Sequence, residues 1–257
     1  MLLCIDVGNT NIVLGVFDEG ALVQSWRLQT LRERTSDELG LIVDGLFAHS
    51  RIERVQVRGV ILASVVPPLT GTIRTRVDRY FGLKTLIVEP GVNTGMPILY
   101  ENPSEVGADR IVNGVGAYAR YGSNRKPIIV VDFGTATTLD AITATGEYLG
   151  GAICPGVQIS ADALFQRAAR LPRIEVRKPS GIVGRTTVGA MESGLFYGYV
   201  GMVEGLVRRM NEELGGDAVC VATGGLADVI APETTVIQHV DPDLTLYGLR
   251  IVWERNQ

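Results

Sequence analysis

The residues Leu2–Phe17, LLCIDVGNTNIVLGVF, decide the fold of this chain. A short apolar run ends at the carboxylate of Asp6, Gly8 turns the chain, and a second apolar run follows. Two apolar runs joined by turn residues predict a β-hairpin. The predicted tip of this hairpin holds Asp6, Asn9, Thr10 and Asn11. Because Gly, Asn and Asp are frequent turn residues for conformational reasons, an ordinary turn explains the tip equally well.

The same tip has the chemistry of a phosphate-binding loop. Gly8 lets the backbone approach a phosphate closely, and the side chains of Asn9 and Thr10 can donate hydrogen bonds to phosphate oxygens. Asp6 can orient Mg²⁺, directly or through water, because this ion takes one or two carboxylates and keeps several waters. The tip is therefore a candidate site for a metal–nucleotide.

A second copy of the pattern lies at Pro127–Ile142, PIIVVDFGTATTLDAI. An apolar run again ends in a carboxylate, that of Asp132, and the Asp-x-Gly pattern recurs 126 positions after Asp6 in a chain of 257 residues. Repetition at half the chain length predicts two similar halves, each with one phosphate loop. We expect one domain over residues 1–115 and a second over residues 116–257, with the two loops gripping a nucleotide from both sides.

The composition excludes several classes of function. A hydrophobic fraction of 46% and a charged fraction of 20% are typical of a globular protein with an ample core. The net charge of −4 and the lack of a basic tract give no reason to expect nucleic-acid binding. The apolar runs are strand-length, so we expect no membrane span. Three cysteines without metal-ligand spacing favour a cytoplasmic protein.

The rest of the chain predicts mixed sheets flanked by helices. In the first half we expect strands at 21–29, 59–66 and 86–88, a helix after the capping box of Thr35 and Glu38, and a helix from Pro67 to Phe81. A further helix is expected over 103–121. In the second half we expect strands at 128–133, 136–143, 147–153 and 218–223, and helices at 157–170, 187–213, from Gly225 onward and at 244–255.

This arrangement resembles the actin, hexokinase and Hsp70 ATPase superfamily. Its members have two ribonuclease-H-like domains of the α/β class, each with a phosphate loop, and a Gly-Gly element near the adenosine in the second domain. Residues 222–225, ATGG, match that element in order, although a Gly-Gly pair after a strand is also a common tight turn. The chain lacks the G-x-x-x-x-G-K-[ST] loop of Walker-type kinases and a dinucleotide fingerprint between a strand and a helix.

The segment 100–113, YENPSEVGADRIVN, is the candidate for choosing the substrate. Asp109 and Asn113 are four positions apart and would share one helix face. A carboxylate beside Arg110 in a cleft could accept a proton from a hydroxyl, while the guanidinium holds an anionic group. A helix-start Asp with a local ion pair explains the same spacing.

Six motifs, in order along most of the chain, resemble those of type III pantothenate kinases, the bacterial enzymes of the first step of coenzyme A synthesis. They are Asp6–Asn11 (DVGNTN), Tyr100–Pro103 (YENP), Gly107–Arg110 (GADR), Asp132–Thr137 (DFGTAT), Gly150–Gly156 (GGAICPG) and Gly184–Thr187 (GRTT). The combination of GADR with DFGTAT is specific to that family.

The resemblance implies a role for each matched position. Asp109 would be the proton acceptor, Asp132 would bind a monovalent cation, K⁺ or NH₄⁺, and Thr135 would contact ATP. The ATP phosphate loop would consist of Asp6, Val7, Gly8, Asn9, Thr10, Asn11, Ile12 and Val13. The pantothenate contacts would be Tyr100, Gly107, Ala108, Asp109, Arg110 and Thr187. The family is typically a homodimer with the substrate site close to the subunit interface.

These roles imply the transfer of the γ-phosphoryl group of ATP, as its Mg²⁺ complex, to the primary hydroxyl of pantothenate. The loops contain no lysine or arginine, so a cation held by Asp132 would supply the missing charge. Two alternatives remain open. One is a kinase or phosphatase of the same superfamily that acts on a sugar or on acetate, and the other is a nucleotide-binding regulator without turnover.

Overall fold

The computed structural model describes residues 1–257. Its contacts divide the chain into two compact units. The first unit comprises residues 1–97, 101–116 and 244–257, and the second comprises residues 98–100 and 117–243. None of the helices combines the length and apolar character that crossing a bilayer requires.

Ten strands and seven α-helices form the two units. In chain order they are β1 (Leu2–Val7), β2 (Asn11–Asp18), β3 (Ala21–Gln29), α1 (Ser36–His49), β4 (Gly59–Ser64), α2 (Pro67–Phe81), β5 (Thr85–Ile87), α3 (Ala108–Tyr121), β6 (Ile128–Phe133), β7 (Ala136–Ile142), β8 (Tyr148–Pro155), α4 (Val157–Arg167), α5 (Thr187–Glu213), β9 (Val219–Gly224), α6 (Ala227–Ile230), β10 (His239–Val240) and α7 (Leu244–Glu254).

The sheet of the first unit has β1 at its centre, in the order β3-β2-β1-β4-β5. β1 is antiparallel to β2 and parallel to β4. Strand alternation sends Leu3, Ile5 and Val7 to one face, where they pack into a core with α1 and α2. On the other face, α7 comes so close to β2 that a methyl group at Gly15 would lie 2.7 Å from Leu246. Both faces of the sheet are therefore covered by helices.

The sheet of the second unit repeats this order as β8-β7-β6-β9-β10. β6 is antiparallel to β7 and parallel to β9, as β1 is to β2 and β4. Its core joins Ile129, Val131 and Phe133 of β6 to α5, which contributes Phe196 and Val203 among its buried residues. The repeat predicted from the two Asp-x-Gly patterns is confirmed.

The division of the chain differs from the predicted boundary after residue 115. Contacts place α7 with the first unit, although the prediction assigned it to a domain of residues 116–257. A methyl group at Gly59 would lie 2.2 Å from the Trp253 ring, and one at Gly248 would lie 2.0 Å from the carbonyl oxygen of Val112. These close approaches bury the apolar face of α7 against β4 and α3. A repeat detected along the sequence does not show that the C-terminal helix packs against the first half of the chain.

Most predicted elements are confirmed, and the exceptions have local causes. The strand at 21–29 and the helix at 187–213 have the predicted bounds. The helix expected over 103–121 begins only at Ala108, because Pro103–Glu105 form a separate 3₁₀ turn capped by Asn102. The helix expected from Gly225 is the single turn α6. β10 has two residues and gave no sequence signal.

Candidate active site

The first phosphate loop connects β1 to β2. Asp6 is the next-to-last residue of β1, half-buried between its neighbours Val13 on β2 and Ala63 on β4. The Gly8 N–H donates to the Asn11 carbonyl oxygen at 2.9 Å and closes the turn. Asn9 and Thr10 are exposed at its tip. The hairpin expected from Leu2–Phe17 is thus present with its polar groups facing outward.

A segment that follows β3 supports this loop and was not anticipated from the sequence. The Thr30 N–H donates to the Thr10 carbonyl oxygen at 2.9 Å, and the Thr30 hydroxyl donates to the Gly8 carbonyl oxygen at 2.7 Å. Arg32 Nη2 donates to Asn9 Oδ1 at 3.3 Å. The strand register contains the information for this contact. Antiparallel pairing of β2 and β3 aligns Asn11 with Gln29, so the residues after Gln29 run past the loop.

Asp109 lies in the first turn of α3, where glycine provides the space for its carboxylate. A methyl group at Gly107 would lie 2.5 Å from Asp109 Oδ1 and 3.8 Å from Val65 Cγ1. Asp109 Oδ1 accepts a hydrogen bond from the Arg110 N–H at 2.9 Å. The Val65 N–H donates to the Val7 carbonyl oxygen at 3.0 Å, directly before Gly8. Gly107 thus lies beside both Asp109 and Val65, and Val65 is bonded to the end of β1, directly before the phosphate loop.

Burial raises the pKa of Asp109 above the ordinary range of an aspartate. The Arg110 N–H and guanidinium act in the opposite direction, but burial has the larger effect. Arg110 is only 8% exposed, so this is not the solvated surface pair of the alternative interpretation. A carboxylate with a raised pKa is a stronger base than a solvated one, which suits a proton acceptor.

Asn113 shares a face of α3 with Asp109, as its spacing predicted, but it has a structural contact there. It is 1% exposed, and its Oδ1 accepts a hydrogen bond from the Thr245 hydroxyl of α7 at 2.6 Å. This bond joins two helices of the first unit. Asn113 therefore helps to fix the helix that carries Asp109.

An open cavity of about 320 Å³ lies at the carboxyl end of β4. Ser64, Thr70 and Arg74 line it together with Glu89. The Ser64 hydroxyl accepts a hydrogen bond from the Thr70 hydroxyl at 2.8 Å. Because Ser64 pairs with Val7 at the end of β1, the cavity adjoins the strand ends that carry the phosphate loop.

The second phosphate loop connects β6 to β7. It is one residue shorter than the first phosphate loop, counted between the last paired residues of its strands. Asp132 pairs with Thr138 and Thr223, whereas Asp6 pairs with Val13 and Ala63. A side chain at Gly224 would collide with it, since a methyl group there would lie 2.5 Å from Asp132 Oδ1, and the φ of +91° also favours glycine. The first glycine of the predicted Gly-Gly element thus leaves room for the Asp132 carboxylate.

No group of three His, Cys, Asp or Glu side chains that could hold a metal ion occurs in the structure. The three atoms nearest to a methyl group at Gly224 would be Asp132 Oδ1 and the backbone C and N of Phe133.

Tyr100 belongs to the second unit, although the sequence around it belongs to the first. The Leu99 N–H donates to the Tyr148 carbonyl oxygen at 2.8 Å, and the Tyr100 and Tyr148 rings lie 6.5 Å apart. The Tyr148 hydroxyl donates to Asp140 Oδ1 at 2.6 Å, and both residues are fully buried. This support for Tyr100 was missed, because Asp140 and Tyr148 lie outside the recognised motifs.

The remaining predicted residues occupy two positions in the second unit. Thr135 lies in the second loop, and its carbonyl oxygen would be 2.1 Å from a methyl group at Gly156. Thr187 begins α5, directly after Thr186, whose hydroxyl caps the helix by accepting from the Gly189 N–H at 3.0 Å. The structure therefore places Asp6–Val13 and Gly107–Arg110 in the first unit, and Tyr100, Asp132, Thr135 and Thr187 in the second.

A family model described as type III pantothenate kinase matches residues 2–209. The chain belongs to the type III pantothenate kinase family. The family's enzyme from Moorella thermoacetica is 56% identical over the whole of both chains. That from Koribacter versatilis is 53% identical over all of this chain and 96% of its own length.

Solved structures with low sequence identity share the fold. A Baf family transcriptional activator from Campylobacter jejuni has a TM-score of 0.62 at 19% identity, covering 99% of this chain and 98% of that one. An inorganic polyphosphate/ATP-glucomannokinase from Arthrobacter has a TM-score of 0.54 at 17% identity, covering 100% and 99%. The predicted fold class, two α/β units with mixed sheets flanked by helices, is confirmed.

Proposed function

We propose that this chain transfers the γ-phosphoryl group of ATP to the primary hydroxyl of pantothenate, which gives 4′-phosphopantothenate, the first step of coenzyme A biosynthesis. The observation that carries the proposal is the position of Asp109. Its carboxylate lies beside Gly107, and Val65, which also lies beside Gly107, is bonded to the end of β1 directly before the phosphate loop. A carboxylate base and a phosphate loop in the same unit, in a member of this family, are the parts that a hydroxyl kinase requires.

In this mechanism Asp109 accepts the proton of the pantothenate hydroxyl. The hydroxyl oxygen forms a bond to the γ-phosphorus as the bond from that phosphorus to the β–γ bridging oxygen breaks, and ADP leaves with the electron pair. The proton remains on Asp109 until solvent removes it. The raised pKa of Asp109 favours its acceptance of this proton. The reaction otherwise depends on positioning and on neutralisation of phosphate charge.

Two cations complete the proposed site. Asp6 would orient the Mg²⁺ of ATP, which supplies charge neutralisation at the phosphates when bound. Asp6 is a single carboxylate at the end of a strand, which suits an ion that keeps most of its waters. Asp132 would hold K⁺ or NH₄⁺ with its single carboxylate. Thr135 follows Asp132 in the same loop and would contact ATP.

Pantothenate presents a carboxylate, an amide and hydroxyl groups, and the proposed contacts match these polar groups. Arg110 would hold an anionic group by its planar pair of donors. Tyr100 offers an aromatic face held by its packing against Tyr148. The other proposed contacts are Gly107, Ala108 and Thr187.

We also propose a homodimer in the cytoplasm. β8 is the edge strand of the second sheet, and it carries Ile153 at 64% exposure and Leu149 at 38%. Strand edges with exposed apolar side chains are surfaces that proteins commonly cover. The cysteines Cys4, Cys154 and Cys220 are free thiols, which fits a reducing compartment.

The decisive experiment measures ADP release by the purified full chain with ATP, Mg²⁺ and K⁺. We expect turnover with pantothenate and none with glucose or acetate. Binding of ATP without pantothenate-dependent turnover would reject the proposal and favour a regulatory protein. Turnover with a sugar or acetate instead would indicate another kinase of the superfamily.

A further inference from the structure

An arginine from outside the first phosphate loop reaches that loop. Arg32 Nη2 donates to the side-chain oxygen of Asn9, at the exposed tip, over 3.3 Å. Arg32 lies in a turn that the Arg34 N–H closes by donating to the Leu31 carbonyl oxygen at 3.2 Å. The turn connects β3 to α1 and belongs to the first unit, as the loop does.

The turn is anchored at both ends, which limits how far the guanidinium can move from the loop. On one side Thr30 makes two hydrogen bonds to the loop carbonyl oxygens of Gly8 and Thr10, at 2.7 and 2.9 Å. On the other side Thr35 forms the capping box of α1 with Glu38, whose carboxylate accepts from the Thr35 N–H at 2.8 Å. Only four residues separate these anchors. The backbone under Arg32 is therefore held beside the loop.

The charge of the loop explains what an arginine would do there. Residues 6–13 carry one carboxylate and no lysine or arginine. Phosphoryl transfer depends largely on cationic groups that neutralise the phosphates. The hydrogen bond of Arg32 goes to a neutral amide oxygen, which is a weaker acceptor than a phosphate oxygen. An exposed guanidinium held beside a phosphate loop can exchange that bond for two parallel bonds to a phosphate.

We propose that Arg32 binds the triphosphate of ATP in the first phosphate loop and supplies the positive charge that the loop itself lacks. The proposal rests on the proposed function in one respect, that ATP is the phosphoryl donor. In the bound state Asn9 is released from Arg32, so its side-chain amide is free to turn toward the phosphates as well.

The test measures the affinity of the full chain for ATP and for adenosine by calorimetry, with Mg²⁺ and K⁺ present. The variants are Arg32→Met, Arg32→Lys and the control Arg79→Met. Arg79 is an exposed arginine of the same unit that lies 3.5 Å from Asp37 and is not bonded to the loop. We expect Arg32→Met to raise the Kd for ATP by about 10- to 100-fold, as for loss of a hydrogen bond to a charged group. The Kd for adenosine should stay within about twofold.

The variants distinguish the effect of the positive charge of Arg32 from the effect of its planar pair of donors. Arg32→Lys should recover part of the lost ATP affinity, because lysine keeps the charge but not the planar pair of donors. Arg79→Met should bind ATP as the original chain does. Unchanged ATP affinity in Arg32→Met would overturn the proposal, and so would an equal loss for ATP and adenosine, which would indicate a structural defect of the loop.

This experiment can fail independently of the proposed function. A selective loss of ATP affinity in Arg32→Met supports the role of Arg32 even if the original chain phosphorylates no pantothenate. Conversely, an original chain that is active with pantothenate while Arg32→Met binds ATP normally would reject the role of Arg32 alone.

Discussion

Replacement of Asp109 by asparagine tests the proposed chemistry most directly, because it removes a charge without disturbing the surrounding structure. Asparagine keeps the oxygen that accepts the Arg110 N–H at 2.9 Å and has nearly the same volume. It still fits over Gly107, where the space for a side chain is narrow. The variant loses the negative charge and with it the ability to accept a proton.

The expected loss of turnover follows from the role assigned to this residue. A positioned proton acceptor contributes about 10²- to 10⁴-fold to the rate, which corresponds to about 3–5 kcal/mol of transition-state stabilisation. We therefore expect kcat to fall by that factor. The Kd for ATP should stay within about twofold, because Asp109 contacts no part of the phosphate loop directly.

The pKa of Asp109 predicts two pH effects of opposite sign. Burial raises its pKa in the folded chain, so kcat of the original chain should fall as the pH drops through that raised value. The same shift means that ionising Asp109 destabilises the folded chain at neutral pH. This penalty declines once the pH falls below the raised pKa and is gone below the ordinary pKa of the unfolded chain. Asp109→Asn should therefore unfold at an equal or higher temperature at pH 7, with the difference vanishing in acid.

Coupled detection of ADP across a pH series measures the first effect, and thermal unfolding across the same series measures the second. Glu105→Gln is a suitable control, because Glu105 is an exposed carboxylate four positions earlier whose partner is Asn102. It should leave kcat within about twofold. A variant Asp109→Asn that keeps turnover within tenfold, with the acidic limb of its pH profile intact, would refute the assignment of Asp109 as the base.

Three further predictions concern the cation, the dimer and a helix start. Sodium in place of potassium should strongly lower the initial rate. Asp132→Asn should abolish this difference in rate between the two salts. Equal rates in both salts with the original chain would contradict a cation site at Asp132. Ile153→Arg should halve the mass measured by light scattering. Leu41→Arg, at another exposed apolar position, on α1, should leave the mass unchanged. An unchanged mass in Ile153→Arg would place any dimer contact elsewhere. Thr35→Ala removes the capping box of α1 and should lower the free energy of unfolding by about 1 kcal/mol in a urea titration. Thr72→Ala, at a half-buried position within α2, serves as its control, and equal midpoints for the two variants would contradict the cap.

The sequence predicted the parts of the fold that depend on local patterns. The β1–β2 and β6–β7 hairpins follow from apolar runs joined by Asp-x-Gly turns, and α1 follows from the capping box of Thr35 and Glu38. These signals lie within a few residues of each other, so they can be read without the tertiary structure. The positions of Asp6 and Asp132 at the ends of equivalent strands were correct for the same reason.

The remaining features depend on contacts between residues that are far apart in sequence. Tyr148 donates to the buried Asp140 on the neighbouring strand, a pairing that no local motif encodes. Arg32 reaches Asn9 only because β3 runs back along β2 past the loop. The motifs therefore predict candidate site residues, whereas the contacts that hold those residues in place depend on the strand register.

The return of α7 to the first unit has a consequence for the order in which the chain can fold. All residues of the second unit are present once residue 243 has been synthesised, but the first unit still lacks the helix that packs on Gly15 and Gly59. Until residues 244–257 are made, that apolar face of the first sheet has no helix α7 to cover it, and exposed faces of this kind are prone to aggregate. The part of the chain that leaves the ribosome first is thus the last to be finished, and it is the part that carries Asp6.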